Sequence, residues 1–393
     1  AFYRFDETRV KMFNMTLYNA LYPEWYRFKY PKAGEENSIV GIHIYKIADG
    51  TTKEMNIGKE NDQYIPRIKW TVNPGILFVL RMNRHQNKLE YLMADAETGT
   101  VKTVLEETNK YYIEINDNLT FTKDKKHFLV TSEKDGYNHI YKYDMNGWLV
   151  KQITSGKWVV ADFYGYDEIS GKIYFQSAET SPLQRDVYVI NDDGTGKQKL
   201  SKEKGTNDAE FSHGFKYFIN TYSNANTPYL VTLHNSKGKQ IRVLEENANL
   251  KRALGELFEY SDKEFFDFET TQGITLNAWM IKPPDFDRNK KYPVLLCIYG
   301  GPGSQTVLDE WDYNIGWHQH LAEKGYIVVS VDNRGTGARG QEFTKCTYKQ
   351  LGKLETIDMT ETAKYLASLP YVDGERIGIQ GWSYGGYMST LCI

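Results

Sequence analysis

Residues 376–387 read Arg-Ile-Gly-Ile-Gln-Gly-Trp-Ser-Tyr-Gly-Gly-Tyr, a pattern typical of a short apolar strand, a sharp turn and the start of a helix. The turn has the form Gly-x-Ser-x-Gly around Ser383. A serine at the tip of such a turn has a strained backbone, and side chains two positions away would collide with the strand or the helix. Gly381 and Gly385 relieve that crowding, and Gly386 leaves room for close packing. The pattern predicts that Ser383 is an exposed nucleophile, and a glycine-rich packing turn is the alternative.

A nucleophilic serine needs a base and an orienting acid. In α/β-hydrolases these follow the serine along the chain, in the order Ser, Asp or Glu, His. All eight histidines of this chain precede Ser383: His43, His85, His127, His139, His213, His234, His318 and His320. We therefore expect an internal fragment of a longer enzyme, truncated at both ends, with the acid and the base beyond Ile393. Alone, the fragment should be nearly inactive, because loss of triad members costs several orders of magnitude in rate.

The composition excludes several other classes of function. The formal charge of −3, from 48 basic and 51 acidic residues, gives no electrostatic reason to expect binding to nucleic acid or to an anionic membrane. The three cysteines, Cys297, Cys346 and Cys392, are too far apart in sequence for a disulfide framework or a zinc site. No apolar run reaches the length of a membrane span. The sequence indicates no metal or organic cofactor.

Turn signals recur at intervals of about 45 residues in the first 250 residues, the range typical of propeller blades. They lie at residues 49–50, 97–99, 144–147, 192–194 and 236–238, and each contains a glycine. Short strands rich in aromatic and β-branched residues flank every turn. One such unit cannot bury both of its faces, so units pack around an axis. The repeat predicts a partial β-propeller of about four to five blades, and a β-sandwich with coincidental turn spacing is the alternative.

The pattern changes after residue 264. A hairpin is predicted over residues 265–281, followed by apolar strands at 294–299 and 327–331 and a helix from about Thr356 to Leu369. Alternating strands and helices form a parallel sheet. The predicted organisation is a partial β-propeller at residues 1–250, a linker at 251–264 and the N-terminal part of an α/β-hydrolase catalytic domain at 265–393.

Acyl transfer through a serine requires two hydrogen-bond donors for the developing oxyanion. In this fold one donor is the backbone N–H of the residue after the nucleophile, here Tyr384. The second donor comes from the loop after an early strand, where Tyr299 ends the first long apolar run. The pattern alone is equally consistent with Tyr299 as a core tyrosine at the end of a strand.

Five motifs resemble the dipeptidyl peptidase IV branch of the prolyl oligopeptidase family. They are YPKAG at residues 30–34, YGGPGSQ at 299–305, DNRGTG at 332–337, RIG at 376–378 and GWSYGG at 381–386. The resemblance spans nearly the whole chain, and GWSYGG is far more specific than a general Gly-x-Ser-x-Gly. It implies a propeller stacked on a hydrolase domain, and a serine exopeptidase that releases N-terminal dipeptides after proline or alanine.

By position, the resemblance implies a role for each candidate residue. Ser383 corresponds to the nucleophile, and Tyr299 to the tyrosine whose hydroxyl completes the oxyanion hole. Tyr384 corresponds to the residue that supplies the backbone donor and whose ring lines the proline pocket. The resemblance further implies peptide substrates with proline at the second position, a parent able to form a homodimer, and a periplasmic, secreted or cell-surface location.

The sequence also departs from the family pattern. The glutamate pair that holds the substrate amino group would precede Ala1, and Glu35-Glu36 follows the YPKAG motif and is interpreted as a solvated turn. Dipeptidyl specificity therefore rests on the resemblance alone. The alternatives are a prolyl tripeptidyl peptidase, or an acylaminoacyl peptidase, oligopeptidase or esterase on the same scaffold. A non-catalytic propeller–hydrolase binding protein is the third possibility.

Overall fold

A computed structural model describes all residues, 1–393. The chain divides into two compact units: residues 1–129 with 142–150, and residues 130–141 with 151–393. No helix combines the length and the hydrophobicity that a membrane-spanning segment needs.

The first unit is built from short antiparallel strands. They are β1 (Phe2–Asp6), β2 (Met12–Leu17), β3 (Glu24–Lys29), β4 (Ile39–Lys46), β5 (Thr51–Glu54), β6 (Gln63–Trp70), β7 (Ile76–Asn83), β8 (Lys88–Asp95), β9 (Val101–Thr108) and β10 (Thr120–Phe121). Strands β1, β4 and β5 form a three-stranded sheet, β2 and β3 form a hairpin, and β6 to β9 form a four-stranded sheet. The next sheet, in the order β10-β11-β12-β13, adds β11 (His127–Ser132), β12 (His139–Asp144) and β13 (Leu149–Gln152).

The second unit continues the pattern with two more four-stranded sheets. One has the order β14 (Val160–Asp167), β15 (Lys172–Ser177), β16 (Asp186–Asn191) and β17 (Gln198–Lys199). The other has the order β18 (Thr206–Phe211), β19 (Tyr217–Asn224), β20 (Thr227–Asn235) and β21 (Gln240–Glu245). Consecutive antiparallel sheets of neighbouring strands confirm the partial propeller that the turn repeat predicted.

Each predicted turn joins the last two strands of a sheet, and its glycine has a positive φ. Gly147 shows why glycine is needed there. A Cβ at this position would lie 1.6 Å from the carbonyl oxygen of Val104, which belongs to β9 of the preceding sheet. The corresponding glycine of the sheet at residues 206–245, Gly238, would meet the carbonyl oxygen of Leu200 at 2.8 Å. The repeated glycine is therefore a contact point between successive sheets as well as a turn residue.

The hydrolase part contains one mixed sheet and all five helices. Its elements are α1 (Ala248–Leu257), β22 (Lys263–Glu269), β23 (Thr275–Ile281), β24 (Tyr292–Ile298), α2 (Ile315–Glu323), β25 (Ile327–Asp332), α3 (Gln341–Thr344), α4 (Lys353–Ser368), β26 (Val372–Gly381) and α5 (Tyr384–Leu391). The sheet order is β22-β23-β25-β24-β26. Strand β24 pairs in parallel with β25 and β26, and β23 pairs antiparallel with β25. The predicted hairpin thus forms one edge of the mixed sheet, next to its three parallel strands.

Both faces of this sheet are covered. On one face, alternate residues of β24 and β25 pack with Met359 and Leu366 of α4 and Met388 of α5. On the other face, Trp279 and Val328 pack with α2. Strand β25 is buried at all six positions, as predicted for its apolar run, whereas β24 alternates between buried and half-buried residues.

Candidate active site

Ser383 lies in the tight turn between β26 and α5, at the edge of the sheet where the parallel strands end. The predicted strand, turn and helix are all present. The backbone of Ser383 has φ 56° and ψ −118°, which places a residue with a side chain in a strained region. The residue is exposed to solvent. Its hydroxyl is therefore held at the tip of a strained turn, accessible to a reactant.

The glycines of the motif are required by close backbone contacts. A Cβ on Gly381 would lie 2.4 Å from the carbonyl carbon of Gly385, and a Cβ on Gly385 would lie 2.2 Å from the carbonyl oxygen of Ile298. At Gly386 the nearest atom, the carbonyl oxygen of Gly381, would be 3.4 Å away, which is an ordinary contact. Gly381 and Gly385 thus relieve crowding as predicted, whereas a side chain at position 386 would make only an ordinary contact.

The two predicted oxyanion residues lie beside this turn. Ile298 at the end of β24 pairs with Gly381 at the end of β26, so Tyr299 and Ser383 leave adjacent parallel strands at the same edge. The ring centroids of Tyr299 and Tyr384 are 6.2 Å apart, and Tyr299 is 38% exposed. Tyr384 is the first residue of α5, where backbone N–H groups have no acceptor within the helix. The structure therefore brings the three candidate residues together, with an N–H and a phenol available as donors.

Gly301 allows the two rings to approach. A Cβ there would lie 2.7 Å from the ring of Tyr299 and 3.3 Å from the ring of Tyr384. The loop is also fastened from the neighbouring strand, because the Asn333 side-chain amide donates to the carbonyl oxygen of Gly300 at 3.1 Å. The position of the Tyr299 ring thus depends on Gly301 in its own loop and on the side-chain amide of Asn333 in the loop after β25.

The phenol of Tyr384 points away from solvent into the hydrolase core. It donates a hydrogen bond of 2.7 Å to Oε1 of Glu355, which lies in the first turn of α4 and is fully buried. Burial, together with the neighbouring Glu355 carboxyl group, raises the pKa of Tyr384 above its usual range. Tyr384 therefore stays a neutral hydrogen-bond donor. The sequence analysis missed Glu355, since an isolated glutamate in a helix gives no signal of burial.

Residues at the end of β25 and just after it support the site in ways that the sequence analysis did not assign. The guanidinium group of Arg334 donates to both carboxylate oxygens of the buried Asp358, with the shortest contact at 2.6 Å. Asp332 accepts hydrogen bonds from the backbone and hydroxyl of Thr306, both at 2.9 Å. Burial raises the pKa of Asp332 to about 6. These contacts fix the turn that holds Asn333.

Within the second unit, a propeller residue just before β16 contacts the end of the YGGPGSQ loop. The guanidinium group of Arg185 donates to Oε1 of Gln305 and, at 3.0 Å, to the carbonyl oxygen of Pro182. Nε2 of Gln305 donates to the same carbonyl oxygen at 3.1 Å. The segment before β16 therefore helps to position the loop that begins with Tyr299.

The remaining sequence candidates lie elsewhere. Glu35 and Glu36 form ion pairs with Lys11 and Arg9 respectively, which agrees with a surface turn. The eight histidines lie in the propeller region or on α2, and no hydrogen bond joins any of them to Ser383. No group of three or more His, Cys, Asp or Glu side chains is arranged to hold a metal ion.

Comparisons with known proteins match both parts of the chain. Residues 1–229 match the family model of the dipeptidyl peptidase IV N-terminal region, and residues 311–393 match that of the prolyl oligopeptidase family. The whole chain is 32% identical to "Probable dipeptidyl-aminopeptidase B" of Arthroderma gypseum and 31% identical to "Dipeptidyl peptidase 4" of Trichophyton equinum. It covers 46% and 53% of those proteins, so it spans about half the length of the relatives it matches.

A solved structure gives the same result. The crystal structure of Porphyromonas gingivalis dipeptidyl peptidase 4 superimposes with a TM-score of 0.94 at 46% sequence identity, over 99% of this chain and 55% of that one. The first family model alone covers more than half of the 393 residues. The chain belongs to the dipeptidyl peptidase IV branch of the prolyl oligopeptidase family.

Proposed function

We propose that the enzyme containing this chain is a serine dipeptidyl peptidase that releases N-terminal dipeptides after proline or alanine. The observation that carries the proposal is the strained, exposed Ser383 with Tyr299 and the N–H of Tyr384 beside it. The names of the relatives and of the superimposed structure support the same reaction class.

In the proposed reaction, Oγ of Ser383 attacks the carbonyl carbon of the second substrate residue. The serine proton passes to a histidine base, which by the usual chain order of this fold follows the nucleophile. The oxygen of the tetrahedral intermediate accepts hydrogen bonds from the backbone N–H of Tyr384 and the hydroxyl of Tyr299. The peptide bond then breaks, and the amine of the remaining peptide leaves with the proton. Water hydrolyses the dipeptidyl ester and regenerates the serine.

The proposed preference for proline rests on the ring of Tyr384. Its phenol is held on Glu355, so the face of the ring is fixed beside the oxyanion position. A flat aromatic face suits a pyrrolidine ring, which has no N–H to satisfy. Peptides with proline at the second position are therefore the proposed substrates.

The test uses the longest natural gene product that contains this chain. It is assayed with Gly-Pro-p-nitroanilide, with a tripeptidyl-proline substrate and with a simple ester, and Ser383→Ala is the control. Release of the dipeptide that disappears in Ser383→Ala supports the proposal. Preference for the tripeptide identifies a tripeptidyl peptidase with the same mechanism, and ester turnover alone identifies a different hydrolase. No turnover from a folded protein that also contains the later Asp and His would overturn the peptidase assignment and favour a binding role.

A further inference from the structure

We propose that Glu355 is a positioning residue of the active site, which acts by holding the side chain of Tyr384. The inference rests on the proposed function, because it concerns the residue that supplies one oxyanion donor. Glu355 does not touch the substrate in this scheme. It fixes the orientation of a residue that does.

The hydrogen bond between Glu355 and Tyr384 joins two helices, and its acceptor is buried. Glu355 is 0% exposed, and its Oε1 accepts a hydrogen bond of 2.7 Å from the phenol of Tyr384. Its second oxygen, Oε2, is buried and has no hydrogen-bond partner. A buried carboxyl oxygen without a partner is costly, so the group is poorly explained as a stabilising element of the fold. Glu355 lies in the first turn of α4, so its hydrogen bond to Tyr384 ties the start of α4 to the start of α5.

A second phenol makes a parallel contact. Tyr387, one turn further along α5, donates to the carbonyl oxygen of Leu351 just before α4. Gly352 permits this approach, because a Cβ there would lie 2.6 Å from the Tyr387 hydroxyl oxygen. Two tyrosines therefore fasten the first turn of α5 to the start of α4. The backbone N–H of Tyr384 belongs to that turn.

The consequence for catalysis follows from geometry. Oxyanion stabilisation depends on donors that are already in place when charge develops. A misplacement of about 1 Å in such a site costs on the order of 100-fold in rate. Without the carboxylate, the Tyr384 ring can leave its rotamer, and both the donor turn and the flat face beside Tyr299 lose their support. The loss should appear in the acylation rate more than in substrate binding.

The experiment compares four variants of the full-length enzyme with Gly-Pro-p-nitroanilide: Glu355→Ala, Glu355→Gln, Tyr384→Phe and Glu361→Gln. Glu361 is the matched control, since it lies on the same helix and its carboxylate accepts from the backbone of Thr271, away from the site. We expect Glu355→Ala and Tyr384→Phe each to lower kcat by about ten- to a hundredfold, with KM changed less than about threefold. Glu355→Gln, which keeps an acceptor, should restore most of kcat, and Glu361→Gln should retain both constants.

Two further measurements distinguish failure of the Glu355 inference from failure of the proposed function. The double variant Glu355→Ala/Tyr384→Phe should be no slower than the slower single variant, because both remove the same hydrogen bond. The rate at which a fluorophosphonate labels Ser383 should follow the same order of variants, without requiring dipeptide release. If the wild type is labelled but releases no dipeptide, the proposed function fails while the labelling rates still test Glu355.

The inference is overturned if folded Tyr384→Phe keeps the wild-type kcat and labelling rate, or if Glu355→Ala behaves like Glu361→Gln. It is also overturned if the wild type is neither active nor labelled. Should Glu355→Ala fail to fold, Tyr384→Phe decides the question alone, because it removes one oxygen atom and leaves the carboxyl group in place.

Discussion

The contact between Gly385 and Ile298 gives a sharp test of how the nucleophile turn is held. A Cβ on Gly385 would lie 2.2 Å from the carbonyl oxygen of Ile298 and 3.2 Å from Cα of Tyr299. Ordinary van der Waals contact begins at 3.4 Å, so the start of α5 and the end of β24 must separate by about 1 Å in Gly385→Ala. The movement separates Ser383 from Tyr299.

The expected cost has two parts. Overpacking of this kind destabilises by about 1–3 kcal/mol and should lower the melting temperature by up to a few degrees. If Ser383 is the nucleophile and Tyr299 an oxyanion donor, as proposed, a displacement of about 1 Å between them should lower kcat/KM on the order of 100-fold. Thermal unfolding and hydrolysis of Gly-Pro-p-nitroanilide by the full-length enzyme measure the two parts separately.

Gly386→Ala is the matched control. Its Cβ would meet only the carbonyl oxygen of Gly381, at 3.4 Å, and alanine favours the helix over glycine by about 1 kcal/mol. We expect near wild-type activity and an unchanged or slightly higher melting temperature. Equal behaviour of Gly385→Ala and Gly386→Ala would show that the turn is not held by the approach of α5 to β24, and the reasoning would be wrong.

Four further outcomes follow from the site. Tyr299→Phe should lower kcat by about 100- to 1000-fold with little change in melting temperature, because it removes one donor from a residue that is 38% exposed. Gly301→Ala should lower kcat through the 2.7 Å clash with the Tyr299 ring while urea unfolding changes little. Asp358→Ala should cost about 3–5 kcal/mol in urea unfolding, since it leaves Arg334 without its partner. The pKa of Asp332 is raised to about 6, against 3.8 for a free aspartate. This shift predicts a contribution of about 3 kcal/mol to the free energy of unfolding, which is fully present below about pH 4 and is lost as the pH rises through 6. Asp332→Asn should flatten the dependence of unfolding free energy on pH in that window.

The sequence predicted the elements that local pattern determines. The five turns fall between the last two strands of successive sheets, and the strands at residues 265–281 and 327–331 form as expected. Helix α4 begins at Lys353, earlier than the predicted Thr356, because Gly352 at its N-cap has φ 87° and makes no side-chain cap for the pattern to reveal. The domain boundaries, with a linker at 251–264, stay a prediction.

The contacts that tune the site could not be predicted in this way, because they join residues far apart in sequence. Glu355 and Tyr384 are 29 residues apart, and Arg185 and Gln305 are 120 apart. A glutamate on an amphipathic helix is normally exposed. Glu355 is buried because α5 packs against α4, which the sequence pattern does not reveal. The sequence therefore predicted Ser383, Tyr299 and Tyr384 as candidate site residues, and these roles stay a prediction. The residues that support them could be found only from the fold.

The motif around Ser383 does not by itself maintain the turn that it describes. A residue with φ 56° costs about 1–3 kcal/mol and persists only where its surroundings hold it. Three elements supply that constraint here. Pairing of Ile298 with Gly381 fixes the strand before the turn, the fully buried Met388 anchors the helix after it, and Glu355 holds the first helical residue. The same Gly-x-Ser-x-Gly in an unsupported loop would relax to an ordinary turn, and its serine would no longer lie beside the proposed oxyanion donors.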